Sequence, residues 1–196
     1  MAPYALAADE SCRKVKIGSM DITAHESLTW KYILNQLISG QDLCSRHVDW
    51  AMDEIMTGST PEPILASFLT SLHMKGETSE ELGALARGML AKAETIDLDV
   101  HAVDIVGTGG DQQNTVNIST MAALVIAGTG ATVVKHGNRA STSKSGSADV
   151  LEALGIQLDM PIKSVAACAR QVGITFLFAM TFHPSMRFVG PTRKIL

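Results

Sequence analysis

Asp104–Asp111 reads D-I-V-G-T-G-G-D, Asn114–Thr120 reads N-T-V-N-I-S-T, Val133–Arg139 reads V-V-K-H-G-N-R, and Ser145–Leu154 reads S-G-S-A-D-V-L-E-A-L. Short apolar strands run into segments of small, donor-rich residues, three times within about fifty positions. Glycines at 107, 109 and 110 let the backbone approach a ligand closely and adopt conformations that a Cβ would block. Asn117, Ser119 and Thr120 then open a helix whose first amides lack intrahelical partners, an end that attracts anions. The pattern predicts a pocket for a ligand with several phosphate oxygens.

Outward from this stretch, strands are expected at Val103–Val106, Ala131–Val134 and Thr175–Phe178. Helices are expected at Ile118–Ala127, Ser147–Leu154 and Pro161–Val172. Strands alternating with helices imply a mainly parallel sheet, with ligands beyond the strands' C-terminal ends. Residues 26–94 have another texture and read as four helices. Trp30, Ile33, Leu34 and Leu37 form the first stripe, and Val48, Ala51, Met52, Ile55 and Met56 the second. Pro61 and Pro63 suit the first turn of the third, which carries Ile64, Leu65, Phe68, Leu69 and Leu72. Thr78 or Ser79 with Glu81 marks a fourth start, followed by Leu82, Leu85, Met89 and Leu90. The fold class expected is α/β: a helical domain at 26–97, then a partial α/β domain at 98–196, with a flexible tail at 1–25.

Composition narrows the function classes. The 196 residues can bury a substantial core. A net charge of −4 argues against general nucleic-acid binding, which needs clustered Lys and Arg. Membrane spanning would need about twenty consecutive apolar residues, and none are found. Met1–Glu10 has no basic region before its apolar part, so no secretory signal is expected. Cys12, Cys44 and Cys168 have neither metal-ligand spacing nor an even count, and reduced thiols in a cytoplasmic protein are the simplest account.

Lys135 is placed to neutralise a pyrophosphate, and Asn138 to orient a polar co-substrate through its paired donor and acceptor. His136 suits either a general acid or a hydrogen-bond donor. The hydroxyl-rich run Ala140–Ser147 suits a terminal phosphate and a lid. Ser119 offers an oxygen for magnesium, a hard ion shared with substrate phosphates. Asp104, Asp111 and Asp149 stand alone, with no carboxylate partner to complete a metal site.

These residues resemble anthranilate phosphoribosyltransferase. The likeness is carried by GTGGD at Gly107–Asp111, N-x-S-T at Asn117–Thr120, KHGNR at Lys135–Arg139 and GSADVLEALG at Gly146–Gly155. F-H-P-S-M at Phe182–Met186 and V-G-P-T-R-K at Val189–Lys194 add to it. The resemblance implies transfer of a phosphoribosyl group from phosphoribosyl pyrophosphate to the amine of anthranilate, in tryptophan biosynthesis, assisted by Mg2+. It implies donor contacts at Gly107, Gly110, Asp111, Thr115, Asn117, Ile118, Ser119, Thr120, Lys135, His136, Gly137, Asn138, Arg139, Ala140, Ser141, Thr142, Ser143 and Ser147. Ser119 becomes a magnesium ligand. Gly107, Asn138, His183 and Arg193 would contact anthranilate, His136 and His183 lining its path, and Lys135 and His136 are the catalytic candidates. A homodimer through the helical domain is implied, as is a further C-terminal half, with an Asp-Glu pair for a second magnesium, that this stretch lacks. Gln112 and Gln113 follow Asp111 where that family often has glycine first, adding bulk near the pyrophosphate. The alternatives are a non-catalytic relative that binds nucleic acid and a dimerising fragment.

Overall fold

The structure is a computed structural model and describes residues 28–107, 116–140 and 145–196. The expected tail at 1–25, with Gly110, Asp111, Gln112, Gln113, Thr115, Ser141, Thr142 and Ser143, lies outside the described residues. Among those described, residues up to Lys92 join Ser185–Leu196 in one compact unit, and Ala93–Pro184 form a second.

In the first unit α1 (Trp30–Ile38), α2 (Ser45–Met56), α3 (Glu62–Lys75) and α4 (Ser79–Ala91) follow the expected four helices. Thr29 caps α1 by accepting from the Tyr32 amide, and Pro61 and Pro63 stand at the start of α3. The stripes close on one core in which Ile33, Leu37, Val48, Ala51, Ile55, Leu65 and Phe68 are buried. Each large side chain removed from water contributes about 1.5–3 kcal/mol. Trp30 packs against Phe68 edge-on at 5.6 Å and against Trp50 at 5.2 Å. A 3-10 turn (Pro184–Phe188) leads to a last helix, Gly190–Ile195, and Val189 between them joins this core.

The fourth helix keeps half of the expected stripe, since Leu85 and Met89 pack against the core, and departs from the other half. Leu82 and Leu90 are 53% and 66% exposed, whereas Glu81 and Ala84 are fully buried. The inward face is Glu81, Ala84, Leu85 and Gly88, a regular helical spacing in which Leu85 is the one large apolar residue. Gly88 is required by proximity, since a Cβ there would lie 2.7 Å from Met52 Cβ on α2. Glu81 is drawn inward by three donors: the Leu43 amide to Oε1, and Lys75 Nζ and the Thr78 amide to Oε2, each at 2.8 Å.

The second unit is built on α5 (Ile118–Gly128), β1 (Val133–Gly137), α6 (Ser147–Ala153), α7 (Ile162–Val172), β2 (Ile174–Phe178) and α8 (Ala179–Phe182); the last helix of the chain is therefore α9. β1 and β2 run parallel, with Val133 opposite Ile174 and Gly137 opposite Phe178. The strand expected at Val103–Val106 is reduced to one parallel bridge, Val103 to Val133. Side chains replace the rest of that ladder: Asp104 Oδ1 accepts from the His136 amide at 3.2 Å, and the Ile105 carbonyl accepts from Lys135 Nζ at 2.7 Å. Leu151, Leu158, Phe176 and Phe178 form the core beneath α6. An apolar cavity of about 260 Å³ opens between α5, α7 and the strands. Cys168 is a free thiol, but Cys44 is disulfide-bonded, a departure from the expected reduced state.

Candidate functional site

Lys135 is the centre of the candidate site. It lies on β1 and is 2% exposed, its ammonium donating to the Ile105 carbonyl at 2.7 Å and to Ser119 Oγ, in the first turn of α5, at 3.2 Å. Burial lowers its pKa, with the charge of Asp104 acting in the opposite direction. Among the described residues no carboxylate approaches it within ion-pair distance. A buried cation held, among the described residues, by a carbonyl and a hydroxyl alone is an unsatisfied positive charge there, and an anionic ligand supplies what it lacks.

His136 follows. Burial, then the neighbouring His183 and Lys135, lower its pKa, and Asp104 only partly opposes them. Its ring lies 5.1 Å from that of His183, and its buried Nε2 has no hydrogen-bond partner among the described residues. A neutral imidazole with a bare nitrogen is left to meet a bound molecule.

The segment after β1 is fastened to α6. The Asn138 carbonyl accepts from the Ala148 amide at 3.2 Å, and the Asn138 side chain accepts from the Arg139 amide at 2.8 Å. Asp149 Oδ2 accepts from the Ala140 amide at 2.9 Å and the Gly146 amide at 2.7 Å, and these two bonds hold its pKa down. Arg139 turns to Glu152, Nε to Oε2 at 3.2 Å and Nη2 to Oε1 at 2.6 Å, and stacks 4.9 Å over the Phe178 ring. Gly146 is set against the same backbone: a Cβ there would lie 2.7 Å from the Asn138 carbonyl oxygen.

The structure therefore brings Ser119, Lys135, His136 and His183 of the expected set into one neighbourhood, with Thr120 buried beside Ser119 in α5. Gly107 belongs there too, since a Cβ on it would lie 3.7 Å from Ser119 Oγ. Asn117 Nδ2 donates to Ser145 Oγ at 3.4 Å. Gly137, Asn138, Ala140 and Ser147 form the β1–α6 junction, and Ile118 is an exposed apolar residue at the start of α5. Arg193 is an exposed residue of α9 in the first unit. Among the described residues no group of three His, Cys, Asp or Glu could hold a metal ion. Sequence reasoning weighed Asp104 and Asp149 only as isolated carboxylates for a metal and gave Glu152 no role. Asp149, three residues after the helix-opening Gly146, carried a recognisable capping signal.

Comparison with known proteins bears on what this arrangement serves. A family model described as "Glycosyl transferase family, a/b domain" matches residues 99–196, and one described as "Glycosyl transferase family, helical bundle domain" matches residues 31–93. An anthranilate phosphoribosyltransferase of Arthrobacter sp. (strain FB24) is 56% identical over 168 residues, covering 86% of this chain and 48% of that protein. One from Rhodococcus opacus (strain B4) is 55% identical over 166 residues, 85% of this chain and 46% of that protein. The crystal structure of anthranilate phosphoribosyltransferase from Thermus thermophilus superposes with a TM-score of 0.75 at 41% identity, covering 82% of this chain and 49% of that one. The Saccharomyces cerevisiae enzyme in complex with PRPP and Mg gives 0.77 at 31% identity, with 85% and 50% covered. The chain spans about half the length of the curated relatives it matches.

Proposed function

The chain belongs to the glycosyl transferase family, matching its helical bundle and its a/b domain, and from that premise we propose that it serves phosphoribosyl transfer to anthranilate. The donor is phosphoribosyl pyrophosphate, the nucleophile is the amine of anthranilate, and pyrophosphate leaves. The observation that carries this reading is the buried Lys135 ammonium, which meets a carbonyl and a hydroxyl but no carboxylate among the described residues. The names of the relatives, and the yeast structure with PRPP and Mg, supply the substrate class.

In this reading Lys135 and the N-terminal end of α5, through its dipole, stabilise the negative charge that builds on the departing pyrophosphate. No protein nucleophile is needed; positioning and electrostatics carry the rate. Ser119 Oγ is a neutral hard oxygen 3.2 Å from an ammonium, so it suits Mg2+ only in company with substrate phosphate oxygens. Bound there, the ion would neutralise pyrophosphate charge. His136 Nε2 is offered to the acceptor, and burial, with the neighbouring His183 in second place, lowers the pKa of the imidazole. Gly107 and Asn138 are the remaining acceptor contacts in this unit. For Arg193 the role is chemical: a guanidinium pairs with the carboxylate of a benzoate through two parallel bonds.

The homodimer belongs to the same proposal, supported by the exposed Ile38, Met74, Leu82 and Leu90 of the helical unit. So does a cytoplasmic setting, where the phosphorylated donor is found. No helix among the described residues is long and apolar enough to cross a membrane. The test is calorimetric titration of the folded chain with phosphoribosyl pyrophosphate and Mg2+, followed by loss of anthranilate fluorescence with pyrophosphatase present. Donor binding abolished by Lys135→Ala supports the reading. A folded chain that binds no donor would falsify it.

A further inference from the structure

We propose that Asp149 is a positioning residue of the candidate site, a carboxylate that fixes the segment after β1 against α6 and so sets the geometry of Asn138 and Ala140. The inference rests on the functional reading above for what the segment binds, but its core is geometric. One oxygen, Oδ2, takes the Ala140 amide at 2.9 Å and the Gly146 amide at 2.7 Å. Those amides stand on either side of the hydroxyl-rich stretch, so a single carboxylate joins its two edges. One turn further along α6, Glu152 holds the Arg139 guanidinium through both oxygens. Residues three apart on a helix share a face, so α6 presents two carboxylates to consecutive residues of the same segment.

The two carboxylates differ in what they control. Glu152 binds a side chain that also rests on the Phe178 ring, and the backbone does not depend on it. Asp149 binds backbone amides directly, and a charge-assisted bond of this kind is roughly twice as strong as a neutral one. The close seat of Gly146, whose Cβ would meet the Asn138 carbonyl at 2.7 Å and the Arg139 carbonyl carbon at 2.6 Å, leaves no room for a looser arrangement to repack. Arg139 is thereby committed to α6, and the anion is left to Lys135 and backbone amides.

The experiment is amide hydrogen exchange on the full chain, wild type against Asp149→Asn, Asp149→Ala and Glu152→Gln, with donor affinity measured by titration of phosphoribosyl pyrophosphate and Mg2+. Exchange at Ala140 and Gly146 is expected to accelerate roughly tenfold or more in Asp149→Ala and by less in Asp149→Asn, which keeps one acceptor. Glu152→Gln should leave both amides protected. Donor affinity should fall about tenfold in Asp149→Ala and recover partly in Asp149→Asn. Unchanged exchange at both amides overturns the inference. So does equal acceleration by Glu152→Gln, which would indicate a loosened helix, or faster exchange with donor affinity intact. If the wild type binds no donor, the functional reading fails, and the staple itself is judged on exchange alone.

Discussion

Replacing Glu81 by Gln tests the account of the helical unit most directly. Its carboxylate is fully buried and takes three donors, from Leu43, Lys75 and Thr78. Lys75, whose side chain is 4% exposed, also donates to Asp42 and to the Gly76 carbonyl. An amide in this seat keeps one acceptor but turns an NH2 toward the ammonium and the Thr78 amide, setting donor against donor. Breaking one partner of a buried pair costs about 3–5 kcal/mol, a large share of the 5–15 kcal/mol typical of a whole domain. Urea unfolding followed by far-ultraviolet circular dichroism should show that loss with an unchanged m-value. The double variant Lys75→Met/Glu81→Leu should recover only the part due to the orphaned ammonium, since the Leu43 and Thr78 amides still lose their acceptor.

The pH dependence follows from the same contacts. Burial acts to raise the pKa of Glu81, but the bonds from Lys75, Leu43 and Thr78 outweigh it and the net shift is downward. Its contribution is present above the ordinary carboxylate value of 4.5 and is lost as pH falls through the lowered folded value. Burial likewise acts against the charge of Lys75, but its carboxylate partners outweigh it and raise the pKa. Its contribution holds below the ordinary 10.5 and fades as pH rises past the raised folded value. A loss below about 1 kcal/mol in Glu81→Gln, or a double variant as unstable as the single, would refute the reasoning.

The remaining predictions concern the second unit. Burial weakens proton binding by Lys135, so wild-type stability should rise as pH climbs from the lowered folded value toward the ordinary 10.5. Lys135→Met should flatten that rise in denaturant titrations. His183→Gln removes one influence that depresses His136, so the His136 ring resonance should titrate closer to 6.5 than in the wild type by nuclear magnetic resonance. Gly146→Ala should destabilise the second unit by about 1–3 kcal/mol through overpacking against Asn138 and Arg139. Amide exchange would register this as faster opening of β1 and α6, with α1–α4 unaffected.

The helices of residues 28–92 were legible because their apolar residues recur at helical spacing and their ends carry recognisable chemistry, such as Thr78 with Glu81. The buried face of α4 was not. Periodicity weighs Leu82 and Leu90, whereas burial went to Glu81 and Ala84 and the close approach to α2 to Gly88, for reasons that lie in Lys75 and Met52, outside that helix. Val103–Val106 has the composition of a strand, yet Asp104 and Lys135 take over its ladder bonds, a substitution visible only in three dimensions. At the site, residue types pointed to an anion. That Lys135 would be buried without a carboxylate, and Arg139 engaged by Glu152, depends on contacts 13 to 30 residues apart.

Gly88 has a consequence for what the chain can become. Glycine inside a helix forgoes about 1 kcal/mol relative to alanine, so the exchange is ordinarily an easy route to a hardier protein. Here the obstruction is the Cβ of Met52, an atom that every amino acid except glycine places there. No change of side chain at 52 short of glycine makes room, and a second glycine would weaken α2 as well. The spacing of α2 and α4 is thus a commitment written into two backbones, closed to gradual drift and to the usual remedies of stability engineering.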